Sequence, residues 1–348
     1  MAVLFSRHSS ALGAAYGDLE NHALAQRAAP SGTPGSVLER SNAGGFRYYA
    51  RQTYDPSGRK VEAYLAGPIG EPAAEAAVAA ARADVADAQA AQRSIRLLLR
   101  EGYAGLSPKQ YSVIAALANA GLFAAGAVMV GTHAFDSIAN RLGIRTSSFA
   151  TEDIDIARPA RLALAREIPP GGLLEIIRGS GVDFVEVPGF DVRDPAVKFK
   201  ERGRSRFLFE ILVPTERGEP FSQPVPELRA HAIALPFLRY LVAESQPGLA
   251  MSRHGCAAVR LPLPERMAWH KALVAQLRTG RPEKSQRDLR QAATLLAALA
   301  ESDAHSLAEA WKAVPSAAKT RIRKSMPAIA QLLVSHPEAA AAVAQVSG

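Results

Sequence analysis

The sequence predicts an α/β (α+β) protein: a small mixed sheet flanked by helices, with a helical C-terminal domain and an N-terminal hairpin plus long helix. Three observations predict it. An apolar run, Ala127–Val130, ends in Gly131-Thr132 and feeds a short helix-like stretch, Ala134–Leu142. Two more segments, Asp153–Ile156 and Arg206–Val213, have the length and the branched or aromatic content of buried strands. From Pro264 onward the chain reads helical, over 265–279, 284–301, 306–313, 317–333 and 336–345.

The elements follow in chain order. A short helix is expected from Gly17 to Ala28, then the loop PSGTPG at 30–35. FRYYARQTY (46–54) and RKVEAYLAG (59–67) flank Asp55-Pro56-Ser57-Gly58, whose turn chemistry predicts a hairpin. Tyr48, Tyr49, Tyr54 and Tyr64 cluster there, as half-buried strand aromatics or as a surface that stacks bases. Residues 71–101 predict one long Ala-rich helix that opens at Pro72 and stops before Gly102. Its exposed side carries Arg82, Asp84, Asp87, Gln89, Gln92 and Arg93, and it is expected to be an arm that packs on another subunit as a homo-oligomer. Ser107 as N-cap and Pro108 as first residue start a helix to Asn119. The strand, turn and helix at 127–142 come next, then a loop over 143–150 and the strand at Asp153–Ile156. Residues 173–178 are strand or short helix, Val182–Val187 strand, and 224–264 mixed with a helix at 235–243. Three parts result: hairpin and helical arm (1–105), α/β core (106–225) and a mainly helical domain (226–348).

Composition narrows the partners. With 41 basic and 33 acidic residues the net charge is +8, which favours nucleic acid or nucleotide phosphates unless it only reflects an Arg-rich composition. The single cysteine, Cys256, excludes a disulfide within the chain and a Cys-based zinc site, and a cytoplasmic location is expected. No run of about 18 apolar residues is present, so no membrane helix is expected. The segment MAVLFSRHSSALGAAYG lacks the continuous apolar stretch of a secretion signal.

Asp153 and Asp155 stand two apart in a strand and so face the same way. Two adjacent carboxylates repel, and a divalent cation relieves that repulsion. Gly131 lets backbone approach a phosphate, and Thr132 offers it a hydroxyl. Glu210 sits between Phe209 and Ile211, where a carboxylate is costly unless paired or metal-bound; the alternative is an edge strand with Glu210 in solvent. Lys271 and Arg278 share a helix face with Ala275, as a phosphate contact or a solvated basic face. Lys284 and Asp288, four apart, either pair or brace that helix. His133 reads as structural. Lys198, Lys200, Arg202, Arg204 and Arg206 precede the Glu210 strand, and KTRIRKS (319–325) is a second basic stretch.

GTHAF, TEDIDIA, FLFEILVP, PERMAWHKALVAQLR and KSQRDLRQA together resemble the nucleotidyltransferase superfamily of DNA polymerase β type, and more narrowly a bacterial family of that fold whose biology is poorly defined. The resemblance covers roughly residues 36–300, with Thr132 in place of Ser, a longer spacer before Asp153, and Glu210 where Asp is more common. It implies magnesium-dependent transfer (manganese as a substitute) of a nucleoside monophosphate from an NTP such as ATP to an acceptor hydroxyl. Asp153, Asp155 and Glu210 would bind two metals, and Gly131, Thr132, Lys271 and Arg278 would bind the triphosphate. The acceptor is expected to be an RNA or tRNA end or a protein, and a toxin or defence role goes with the fold. The alternative is a non-catalytic nucleotide- or nucleic-acid-binding protein with a drifted site.

Overall fold

The computed structural model describes residues 3–30, 32–55, 58–147, 151–188, 195–278 and 280–347. The turn residues Pro56 and Ser57, the end of the predicted loop at 148–150, and Thr279 lie outside the described residues.

β1 (Phe5–Arg7) leads into α1 (Ser10–Ala25), which starts earlier than expected because the Ser9 hydroxyl caps the backbone N–H of Leu12. β2 (Ser36–Ser41), β3 (Arg47–Tyr54) and β4 (Lys60–Ala66) form a three-stranded antiparallel sheet, so the predicted hairpin has a third strand. The tyrosines divide. Tyr49 is buried and its hydroxyl donates to Glu75 at 2.9 Å, while Tyr48 and Tyr64 lie 5.5 Å apart and Tyr64 is 61% exposed. α2 (Pro72–Arg100) is the long helix. Its Ile95 and Leu98 are fully buried against Tyr16 and Leu19 of α1, Tyr103, Leu249 and Met251. The C-terminal end of this helix thus packs on α1 and the 249–251 segment of the same chain.

α3 (Pro108–Asn119) opens with a reciprocal cap between Ser107 and Gln110. β5 (Val128–Val130), α4 (Gly131–Arg141), β6 (Ile144–Thr146) and β7 (Asp153–Ala157) follow. β6 lies inside the stretch read as loop and pairs with β1. α5 (Gly172–Arg178) resolves the ambiguous 173–178 as helix. Next come β8 (Phe184–Val187), β9 (Lys198–Glu201), β10 (Leu208–Thr215), β11 (Phe221–Val225), β12 (Ala230–Pro236) and α6 (Leu238–Val242). β13 (Ser245–Ser252) and β14 (Gly255–Pro262) form a hairpin. α7 (Pro264–Leu277), α8 (Pro282–Ser302), α9 (Ala304–Lys312), α10 (Ser316–Leu332) and α11 (Pro337–Ser347) complete the described chain.

The main sheet is mixed, with path β11-β12-β10-β7-β5 and the β8–β9 pair joined to β10. β7 and β10 are parallel neighbours, and β5 runs antiparallel to β7. The sheet continues past residue 225 by taking in β12. One face of the central strands is apolar and dry: Ile154, Ile156, Phe209 and Ile211 are 0–1% exposed. That burial anchors the strands and turns their alternate residues to the opposite face. The basic 319–325 segment is part of α10, where Lys319 and Arg323 lie over the Trp311 ring. No helix among the described residues is long and apolar enough to cross a membrane. Cys256 is buried, and burial pushes its thiol up to about 12.

Candidate active site

Three carboxylates share the polar face of the sheet. Parallel pairing sets Glu210 of β10 directly beside Asp155 of β7, and Asp153 lies two residues along on the same face. β10 is an interior strand, flanked by β7 on one side and by β9 and β12 on the other, so the edge-strand reading of Glu210 fails. Burial, with Glu210 and Asp153 nearby, pushes the Asp155 carboxyl up to about 7; Lys271 and Arg278 oppose the shift. Those two cations therefore lie within electrostatic reach of the acids.

Gly131 closes the other side. Antiparallel pairing places Val130 opposite Asp155, and the next residue turns into α4 with φ +74°. A Cβ at Gly131 would overlap Asp155 Oδ2. Gly131→Ala is thus expected to lose about 1–3 kcal/mol of stability from left-handed backbone strain and to displace Asp155, checked by thermal melting and by NTP turnover. Thr132, 6% exposed, follows in the first turn of α4. An α-helix N-terminus presents unsatisfied backbone N–H groups, and here they open beside the acids.

The basic wall comes from α7 and α8. Lys271 is 5% exposed, which removes the solvated-face reading. Its Nζ donates to Asp288 Oδ1 at 2.9 Å, and Arg278 Nε donates to Asp288 Oδ2. Asp288 is fully buried. Burial raises its carboxyl, but Lys271 and Arg278 overcome that and hold it below the ordinary value. Lys284 does not pair with Asp288: its Nζ lies 3.6 Å from Asp153 Oδ2. Lys198 of β9 bonds Glu210 Oε1 at 2.7 Å. Two of the three acids thus already hold an ammonium group. Among the described residues, no three His, Cys, Asp or Glu side chains are grouped closely enough to hold a metal ion as they lie.

Residues 109–315 match the model of a family described as nucleotidyltransferase. The chain belongs to this nucleotidyltransferase family. The match takes in Asp153 and Asp155 of β7, Glu210, and the Lys271–Arg278–Asp288 cluster, and it starts after α2, so the N-terminal sheet and long helix lie outside it. Neither the curated proteins nor the solved structures gave a match.

Sequence reasoning passed over Asp136 and His270, and it named Lys198 and Lys284 without placing them beside Glu210 and Asp153. Burial pushes Asp136 of α4 up to about 7, against the pull of Lys271 and Arg287. It also pushes His270 down to about 4, with Lys271 and Arg278 assisting and Asp288 opposing, so His270 is neutral at pH 7. His133 is driven down to about 4 by burial and is 8% exposed, consistent with a structural part. The available signal for His270 was its place directly before Lys271 on a helix. Lys198 was visible only as one of five basic residues, because nothing in the sequence shows which of them faces Glu210.

Proposed function

We propose that the chain moves a nucleoside monophosphate from an NTP to an acceptor hydroxyl and releases pyrophosphate. The observation that supports this best is the register of Glu210 beside Asp155, with Asp153 on the same face and two cations in reach, Lys271 buried and Arg278 half-buried. Asp153, Asp155 and Glu210 are the acids that would hold magnesium, or manganese in its place. The donor set suits a hard cation: carboxylate oxygens on adjacent strands, where burial and then the repulsion of Glu210 and Asp153 raise Asp155. When bound, the ion supplies charge neutralisation at the phosphates and at the attacking oxygen.

The remaining roles belong to the chain. Gly131 leaves room for the Asp155 carboxylate against the backbone, and Thr132 and the first N–H groups of α4 donate to the triphosphate oxygens. Lys271 and Arg278, fixed by Asp288, offset the charge of the departing pyrophosphate. Glu210 Oε1 takes the proton of the acceptor hydroxyl. The acceptor class favoured by a net charge of +8 is an RNA or tRNA end, ahead of a protein hydroxyl.

Lys198 competes with a cation for Glu210. Lys198→Met is therefore expected to tighten Mn²⁺ binding several-fold in calorimetric titration without nucleotide; weaker binding would mean that Lys198 does not compete with the ion. The same ion pairs favour a second reading, a nucleotide- or nucleic-acid-binding protein whose acids are neutralised by Lys198 and Lys284 and do no chemistry. Incubation with each labelled NTP, Mg²⁺ and total cell extract, with RNA and protein products resolved, separates the two. Label transferred by the wild type and absent with Asp153→Ala supports the enzyme. Mg²⁺-dependent NTP binding with no labelled product supports the second reading.

A further inference from the structure

The N-terminal sheet and α2 lie outside the family match, and the reaction proposed above gives them no task. On α2, Arg82, Gln89, Arg93, Arg96 and Arg100 are all exposed. At about 100° per residue they fall within a stripe about 60° wide, while Asp84 and Asp87 point to the opposite side. Among the described residues, Arg82, Arg93 and Arg96 have no ion-pair partner, and Arg100 has only Glu101 at 3.9 Å. The middle of the stripe borders a cleft of about 490 Å³ between α2 and the β2–β3 strands. Gln52, Tyr54, Gln89, Gln92, Arg93 and Arg96 line it, and no acidic side chain does. The Tyr54 ring is 41% exposed. Gln92 is fixed by donating to His254 O at 3.1 Å, and Arg51 stiffens the rim by donating to Pro34 O at 3.2 Å.

We propose that this stripe and cleft bind single-stranded nucleic acid, with phosphates on Arg82, Arg93, Arg96 and Arg100 and a base stacked on Tyr54. The stripe from Arg82 to Arg100 is about 27 Å long at 1.5 Å per residue, several times the length of one nucleotide, so the ligand is a strand and not a free nucleotide. An aromatic ring set among unpaired guanidinium groups and amide side chains matches a base flanked by phosphates. The strand is the acceptor of the proposed transfer and rests on that reading for its purpose, but its binding is measured without NTP or metal.

The test is fluorescence anisotropy of a labelled single-stranded RNA oligomer with the full chain, across a salt series. The Arg93→Ala/Arg96→Ala double variant is expected to bind at least about tenfold more weakly, and its salt slope to fall by about 1.4, two phosphate contacts at about 0.7 each. Tyr54→Ala is expected to cost about tenfold, on the order of one base–aromatic stack. Asp84→Ala/Asp87→Ala, on the opposite face, and Asp155→Asn are expected to bind like the wild type, so a dead active site leaves this result intact. Circular dichroism checks that the exposed substitutions leave the helix folded. Wild-type affinity in the double arginine variant would overturn the proposal. So would displacement of the RNA by polyglutamate as readily as by unlabelled RNA, which would mark the stripe as a site for acidic protein segments.

Discussion

Asp155→Asn is expected to abolish nucleotidyl transfer and at the same time to stabilise the metal-free protein at neutral and alkaline pH. The loss follows from charge: removing one of the acids that hold a divalent ion forfeits several kcal/mol of transition-state stabilisation, about a thousand-fold in rate or more at 1.36 kcal/mol per decade. The gain in stability follows from proton linkage. The folded protein holds the Asp155 proton up to about pH 7, whereas the ordinary value is 3.8. Between those values the folded state carries a proton that the unfolded state has lost, so stability falls as pH rises through that window. About three units at about 1.36 kcal/mol each set an upper bound on the order of 4 kcal/mol. Asparagine cannot ionise and escapes this cost. Thermal melts should therefore show Asp155→Asn above wild type at pH 8, with the gap closing toward pH 4. Equal melting temperatures at pH 8 would show that Asp155 does not carry the strain assigned to it.

Asp288→Ala is expected to cost about 3–5 kcal/mol of stability, because it strands a buried ammonium group without its partner. Lys271 is 5% exposed and bonds Asp288, and Arg278 shares the same carboxylate. The substitution removes the one group that fixes both cations near the acids. Where the variant folds at low temperature, the KM for NTP should rise more than kcat falls, since the loss is in holding the triphosphate. Asp288→Asn keeps a hydrogen-bond acceptor and should lie between the two. Unchanged denaturant midpoints in Asp288→Ala would contradict the bracing role.

The strands that position the acids were legible because they combine two signals: an apolar face that must be buried and a carboxylate pair that such burial makes expensive. Ile154 and Ile156 fix the face of β7, and Phe209 and Ile211 that of β10, so Asp155 and Glu210 had only one side left. The pairing of β7 with β10 was not legible, since residues 158–207 intervene and no local pattern sets a parallel register. The same limit hid β2 and β6, short strands defined by their partners β3 and β1 more than by composition. Asp288 shows a different gap. Its spacing from Lys284 suggested a helical pair, but the helix turns it inward to Lys271 and Arg278, a tertiary contact that outweighs the local one.

Everything in the proposed chemistry depends on Asp153 and Glu210 exchanging their lysine partners for cations that they share with Asp155. Crystals soaked with Mn²⁺ and a non-hydrolysable NTP analogue test this directly by anomalous scattering. The account predicts manganese peaks in contact with the three carboxylates and the phosphates, with Lys198 and Lys284 moved off Glu210 and Asp153. Triphosphate bound with both ammonium groups still in place and no manganese peak at the acids would contradict it.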